Sequence, residues 1–335
     1  MEFKHYVGVD VSKDTLDFAI NAEGKIIANY HCDNNKKSIG QLVKELRKLT
    51  GFKMTQTVFC MEFTGIYNNP LLEYLVDSKS SIWMEPALRI KQSQGMTRGK
   101  NDMIDATRIA EYAFTYRDKI KLWKPAREEM KKLKGLITLR DRLVNSIKQL
   151  STPANENALF VSKEIIKIEK KITKSSVAAL RKSLTVVEKE IDQIIKKDPD
   201  LKQMMDLMIS VPGVGPIVAV NIIVATDEFK RFDSADKFAC YSGVVPFDHR
   251  SGSSLRGRSR VSHLANKKLK ALLHLSAMAA TTSKGELRDY YLRKIDEGKS
   301  RMSILNAIRN KILHRIFVVV KRKEAYQKKY SNVLA

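Results

Sequence analysis

Only three cysteines, Cys32, Cys60 and Cys240, occur in 335 residues, and none has paired spacing. A disulfide framework and a cysteine-ligated zinc site are both excluded, and a reducing compartment fits. Long apolar runs are missing as well. The opening residues carry only the short apolar stretch Tyr6 to Val9, with no signal-peptide-like region and no bilayer-length span elsewhere, so a soluble intracellular protein is expected. Acidic charge is in deficit: 37 Asp and Glu face 61 Lys and Arg, a formal net charge of +24. An ordinary metabolic enzyme sits nearer balance, and a polyanionic partner is the natural reading. Finally, no glycine follows Gly135 until beyond Lys197, and Pro153 is the one proline of that stretch. Turn-rich β structure is excluded there and long helices are expected.

The charge is unevenly placed. Residues 1 to 120 hold 17 basic and 15 acidic side chains, so the remaining 215 carry +22. Such a split suggests a front part that performs chemistry with acidic groups and a rear part that grips phosphates. The front part reads as strands first, with a turn at Glu23-Gly24 and a helix from about Lys36 to Leu49 that places Ile39, Leu42, Val43 and Leu46 on one face. Gln56 to Glu62 reads as a buried strand, Asn69 to Val76 as a helix and Ser81 to Met84 as a short strand. Asp102 to Phe114 reads as a helix with Ile104, Ile109 and Ala113 inward. Strands alternating with helices predict an α/β domain with a mixed sheet over residues 1–125.

Residues 126–200 read as a helical, coiled-coil spacer. Leu136, Leu143 and Leu150 repeat by seven, as do Val161 with Ile168, Ile165 with Ile172, and Leu180, Val187 and Ile194. The phase jumps across Thr173 to Ser176, which predicts a hinge or break. An intramolecular hairpin and an intermolecular coiled coil fit equally well. Residues 201–335 read as a mainly α domain: a helix Leu201 to Ile209, the turn VPGVGP, an apolar helix Ile217 to Val224, a loop over Tyr241 to Leu255, and basic helices after it.

Asp10 lies inside an apolar β run and Glu62 ends another, where a carboxylate is costly unless compensated. Asp102 and Asp105, three apart, share one helix face. Either acid pair alone also suits strand ends or helix capping. Together, oxygen ligands on two strands and one helix are what paired Mg²⁺ or Mn²⁺ ions require. Arg98 and Lys100 just ahead of Asp102 are candidates for holding a strand's phosphates.

At these residues the chain resembles the DEDD insertion-sequence transposases, relatives of the Piv-type DNA invertases described as bridge-RNA-guided recombinases. GVDVSK around Asp10, MEFTGIY around Glu62 and KNDMIDATRIA around Asp102 and Asp105 look like that family's N-terminal motifs in order. LMISVPGVGPIVAVNIIVAT is similar to its helix-hairpin-helix-like segment, whose Gly213 and Gly215 would let backbone N–H groups approach phosphate. FACYSGVVPFDHRSGSSLRGRSRVSHLANKKLK is similar to its serine-bearing signature. The resemblance implies a ribonuclease-H-like (RuvC-like) N-terminal domain and a nucleophilic serine at Ser251, with Ser253 and Ser254 as neighbouring candidates. It also implies Mg²⁺ or Mn²⁺ at the tetrad, DNA donor and target, a guide RNA and a homo-oligomer at the prokaryotic nucleoid. Arg250, Arg256, Arg258 and Arg260 form a basic loop suited to phosphate. Ala265 and Lys270 depart from the family's usual Gly and Arg.

Three other readings compete. A junction resolvase or structure-specific nuclease would keep the metal and use water as nucleophile. A basic nucleic-acid-bridging protein would bind without chemistry. An actin-like sugar kinase matches VGVDVSKDTLDFAI but leaves the basic rear part without a purpose.

Overall fold

The computed structural model describes residues 3–94, 101–152, 160–246, 250–251, 255–256 and 261–327. These fall into two compact units, Met1–Pro125 and Ala126–Ala335.

The first unit begins with β1 (His5–Val11), β2 (Thr15–Ala22) and β3 (Lys25–Asp33), followed by α1 (Lys36–Leu46), β4 (Thr57–Glu62), α2 (Asn69–Asp77), β5 (Ser81–Glu85), α3 (Ala87–Ser93) and α4 (Asp102–Thr115). The sheet order is β3-β2-β1-β4-β5. The first three strands form an antiparallel meander, whereas β4 and β5 run parallel to β1. This is the mixed sheet expected from the strand and helix order, in the ribonuclease-H-like arrangement that the resemblance implies. Alternation sends Val7, Val9, Phe18, Ile20, Phe59 and Met61 to one face, where Ile39, Leu42, Val43 and Leu46 of α1 and Leu71 and Leu75 of α2 cover them. On the other face Tyr6, Val58, Cys60 and Trp83 meet Ile109, Tyr112 and Ala113 of α4. Ile104 is not inward: it is 40% exposed, because α4 packs through Ala106, Ile109, Ala110 and Ala113.

The contact between α4 and β1 leaves no room for a side chain at Gly8. A Cβ there would lie 2.2 Å from Ala110 N and 2.3 Å from Ala106 O, both backbone atoms that cannot swing aside. Gly8→Ala is therefore expected to destabilise this unit by about 3 kcal/mol. Urea unfolding checks it; an unchanged midpoint would mean that α4 does not seat on β1 as described.

The second unit opens with α5 (Glu128–Ser151) and α6 (Lys163–Lys197), paired antiparallel through Arg140 Nε–Glu188 Oε1 at 2.8 Å, with Arg127 beside Asp198 at 2.9 Å. Then come α7 (Pro199–Ile209), α8 (Pro216–Thr226), α9 (Ala235–Tyr241), the two-residue strands β6 (Arg250–Ser251) and β7 (Leu255–Arg256), α10 (Lys267–Thr282), α11 (Glu286–Asp296) and α12 (Arg301–Arg322). One core joins Met130, Leu133 and Ile137 of α5 and Val187, Ile191 and Ile195 of α6 to the helices that follow.

Two expectations change here, the hinge on α6 and the loop over Tyr241 to Leu255. No hinge interrupts α6: Thr173 Oγ1 bonds back to Glu169 O at 2.8 Å, and a stretch without Pro or Gly has nothing to break the ladder. The proposed seam through Ile165, Ile168 and Ile172 faces outward, at 50%, 57% and 69% exposure, while Ile166 is buried. The segment Tyr241 to Leu255 is not all loop, since β6 and β7 pair antiparallel with Ser251 opposite Leu255.

Candidate active site

The parallel register places Gly8 beside Cys60 and Val9 beside Met61, so Asp10 and Glu62 come next on neighbouring strands. Alternation puts Asp10 on the face of Gly8 and Glu62 on the face of Cys60, which is the face covered by α4. Ala106 sits directly over Gly8, and the turn before Ala106 carries Asp102 and Asp105. The close seat at Gly8 thus delivers two helix carboxylates to the end of β1 where Asp10 lies.

Asn101, not Asp102, caps this helix: its side chain accepts from Met103 N at 3.1 Å. Asp102 is thereby left exposed without capping work, and Asp105 receives Arg108 Nη1 at 2.9 Å. Burial pushes the Asp10 carboxyl up to about 6, and Asp102, Asp105, Glu62 and Asp17 push it the same way. Burial, then Asp105, raises Glu62. Asp10 thus titrates against the charge of its acidic neighbours, and Glu62 against that of Asp105.

Two further carboxylates share the row. Asp17 of β2 pairs with Asp10 across the antiparallel ladder, and Glu85 of β5 pairs with Glu62. Both are buried, and both are satisfied: Asp17 by His31 Nδ1 at 2.9 Å, Glu85 by Trp83 Nε1 at 3.0 Å and Arg89 Nη1 at 3.2 Å. The outer acids of the row thus have local partners, while no such bond or ion pair to Asp10 or Glu62 is found among the described residues. The sequence reading missed Asp17 and Glu85. Their signal was present only in the alternation, and it became readable once strand register was known.

Like charges gathered at strand ends and a helix start form an all-oxygen donor set of the kind that hard divalent cations prefer. Among the described residues no three of them are already close enough to share one ion. The β1–β4 register and the seat of α4 on Gly8 nonetheless bring all four to one end of the sheet. The donor chemistry fits a divalent metal.

In the second unit, Ser251 and Arg250 lie on β6 and Arg256 on β7. Arg98, Lys100, Arg258 and Arg260 lie outside the described residues, as do Ser253 and Ser254. The chain on either side of the hairpin is firmly joined. A Cβ on Gly243, at φ +68°, would meet Val261 Cγ1 at 3.2 Å, and Asn266 N donates to Tyr241 O at 2.8 Å. Asn306 Nδ2 holds Val244 O at 2.9 Å. The turn between α7 and α8 uses its two glycines differently. Gly213, at φ +88°, would place a Cβ 2.4 Å from Ser276 O, so it serves the packing on α10. Gly215 is the N-cap of α8, and a Cβ there would meet open space.

No helix among the described residues is long and apolar enough to cross a membrane. Two family models match the chain. One for DEDD transposases of the IS110 type covers residues 7–155, and one described as the transposase IS116/IS110/IS902 family covers residues 205–292. The chain is 23% identical to the pilin gene-inverting protein of Moraxella bovis over 97% of this chain and 98% of that one. It is 21% identical to the insertion element IS116 uncharacterized 44.8 kDa protein of Streptomyces clavuligerus over 96% of each. A solved structure, T. thermophilus RuvC in complex with Holliday junction substrate, aligns with 35% of this chain and 98% of that one at 15% identity and a TM-score of 0.25. Matched at both ends by models of one transposase group, and along nearly its whole length by its relatives, the chain belongs to the DEDD transposases of the IS110/IS116 family, enzymes of DNA recombination.

Proposed function

We propose that this transposase cuts and rejoins DNA through Ser251, with Mg²⁺ or Mn²⁺ held by Asp10, Glu62, Asp102 and Asp105, under the guidance of a non-coding RNA. The observation that carries the metal assignment is the gathering of the four acids at the end of β1 by strand register and the seat of α4, where Arg108 on Asp105 is the one basic side chain bonded to any of them among the described residues. Paired divalent ions would neutralise that charge and polarise the phosphodiester's oxygens.

The covalent chemistry belongs to the serine. Its Oγ forms a bond to phosphorus as the strand's own P–O bond breaks; the Oγ proton leaves to a base, and the departing sugar oxygen takes up a proton. Rejoining reverses the step, with a sugar hydroxyl displacing the serine oxygen. A serine hydroxyl needs an activating environment at neutral pH, and we assign that to the tetrad acting on the same phosphodiester. Arg98, Lys100, Arg250, Arg256, Arg258 and Arg260 supply phosphate contacts, together with the open N-terminus of α8 at Gly215. Gly213 contributes there by holding the turn in place.

The guide rests on the family resemblance alone, since a net charge of +24 suits DNA and RNA phosphates alike. Purifying the full chain from its host and sequencing the bound nucleic acid tests it. One discrete RNA species with segments complementary to both DNA partners is expected, and a random sample of cellular RNA would contradict guidance. Such an enzyme works in the cytoplasm, at the nucleoid.

We also propose that a second copy covers the outward stripe Ile165, Ile168 and Ile172 on α6, since three isoleucines at heptad spacing form an exposed seam. Ile165→Ser with Ile168→Ser is expected to lower the oligomer's mass in sedimentation without lowering the melting temperature. An unchanged mass would rule this seam out as the interface.

A further inference from the structure

Glu62 is followed at once by a turn that holds apolar side chains out in solvent. Ile66 is 74% exposed and Tyr67 40%. Ile104, on the α4 turn between Asp102 and Asp105, is 40% exposed. Single apolar side chains on a surface need no explanation, but a group of them bordering a charged site does.

The turn is built rather than slack. Asn68, fully buried, donates to Glu62 O at 2.9 Å and accepts from Thr64 N at 2.8 Å and Thr64 Oγ1 at 2.9 Å. Asn34 Nδ2 bonds both Tyr67 O and Ser12 O at 2.9 Å, tying the turn to the chain two residues beyond Asp10. Gly65 takes the left-handed conformation, φ +80°, that the bend requires. These bonds fix Ile66 and Tyr67 relative to Glu62 and leave them uncovered, the arrangement of a preformed contact surface.

The site's own substrate identifies what covers it. A strand whose phosphodiester lies at the carboxylates brings its bases within reach of the adjoining surface, and a base lifted from its stack exposes an apolar face. Apolar side chains inserted between or under bases accept that face whatever the sequence. We propose that the Phe63–Tyr67 turn, led by Ile66 and Tyr67, is a platform on which bases of the strand engaged at the tetrad unstack. The proposal rests on the tetrad being the cutting site. It gives Asn68 a positioning role, since one buried amide holds both the platform and the backbone of Glu62.

The test measures fluorescence anisotropy of a 20-nucleotide single strand (a length of about one to a few protein site sizes) bound by the full chain with Ca²⁺ in place of the reactive ion. The comparison is the same strand with abasic sites through its centre. Wild type is expected to bind the intact strand about 10-fold more tightly. Ile66→Ser with Tyr67→Ser should lose that preference, keep the affinity for the abasic strand and keep the melting temperature, because both side chains are exposed. Equal binding of the two strands by wild type, or an undiminished preference in the variant, overturns the proposal. So does a variant whose oligomer mass falls while the preference persists, which would make the turn a protein interface. Asp10→Asn should retain the preference for bases. If that variant still cuts DNA at the wild-type rate, the tetrad reading fails while the base preference continues to decide the platform by itself.

Discussion

Asp10→Asn is expected to lower strand cleavage by about 10³-fold or more, equivalent to ~4 kcal/mol of barrier, and at the same time to stabilise the metal-free fold. The two effects share a cause. Asp10 is held among Asp102, Asp105, Glu62 and Asp17 in a partly buried place, and its carboxyl is raised from 3.8 to about 6. A group raised in the folded state binds its proton more tightly there than in the unfolded chain. Stability is therefore highest below pH 4 as far as this group is concerned, falls as pH rises through about 6, and stays lower above. Asparagine has the same shape without the charge. In chelator at pH 8 the variant should melt about 2–4 °C above wild type, a gain of about 1 kcal/mol after allowance for solvent screening. At pH 4 the two should melt together. Adding Mg²⁺ should raise the wild type and leave the variant nearly unmoved. Loss of cleavage with a lower melting temperature would mean a structural rather than a metal-binding carboxylate.

Ser251→Ala is expected to abolish both the covalent protein–DNA adduct and strand exchange, while leaving DNA affinity within about twofold. The side chain removed is small and carries no charge, so the phosphate contacts that dominate affinity remain. This variant separates the serine enzyme from a nuclease that uses water. A water enzyme would form no adduct in the wild type and would cut DNA unchanged after the substitution. Ser253→Ala and Ser254→Ala are the controls, and full activity in both assigns the nucleophile to Ser251.

What the sequence made legible was whatever alternation and helical period encode. The strands around Asp10 and Glu62, α1 with its buried Ile39, Leu42, Val43 and Leu46, and the helix that starts at Asp102 all follow from residue spacing over a few turns. Asp10 and Glu62 stood out as candidates because a charged residue inside or ending an apolar strand is conspicuous. What lay beyond reach depends on register and on close packing. Asp17 faces Asp10 only because the Ser12–Thr15 turn sets the β1–β2 pairing, and nothing in the spacing of the two acids says so. Gly8 reads as one more strand residue until α4 is laid across it. Ile104 was assigned inward by period alone, whereas the alanines of α4 choose the buried face by letting the helix approach. The phase jump on α6 suggested a break, but a helix without Pro or Gly carries its hydrogen bonds through a change of seam.

The most direct test of the account is to trap the full chain on a DNA substrate in Mg²⁺, digest protein and DNA, and identify by mass the peptide that keeps a nucleotide. The account predicts a nucleotide linked to the peptide that contains Ser251, present in wild type and absent in Asp10→Asn. A wild-type digest with active cleavage and no nucleotide-bearing peptide, or with the nucleotide on a residue outside this serine cluster, would contradict it.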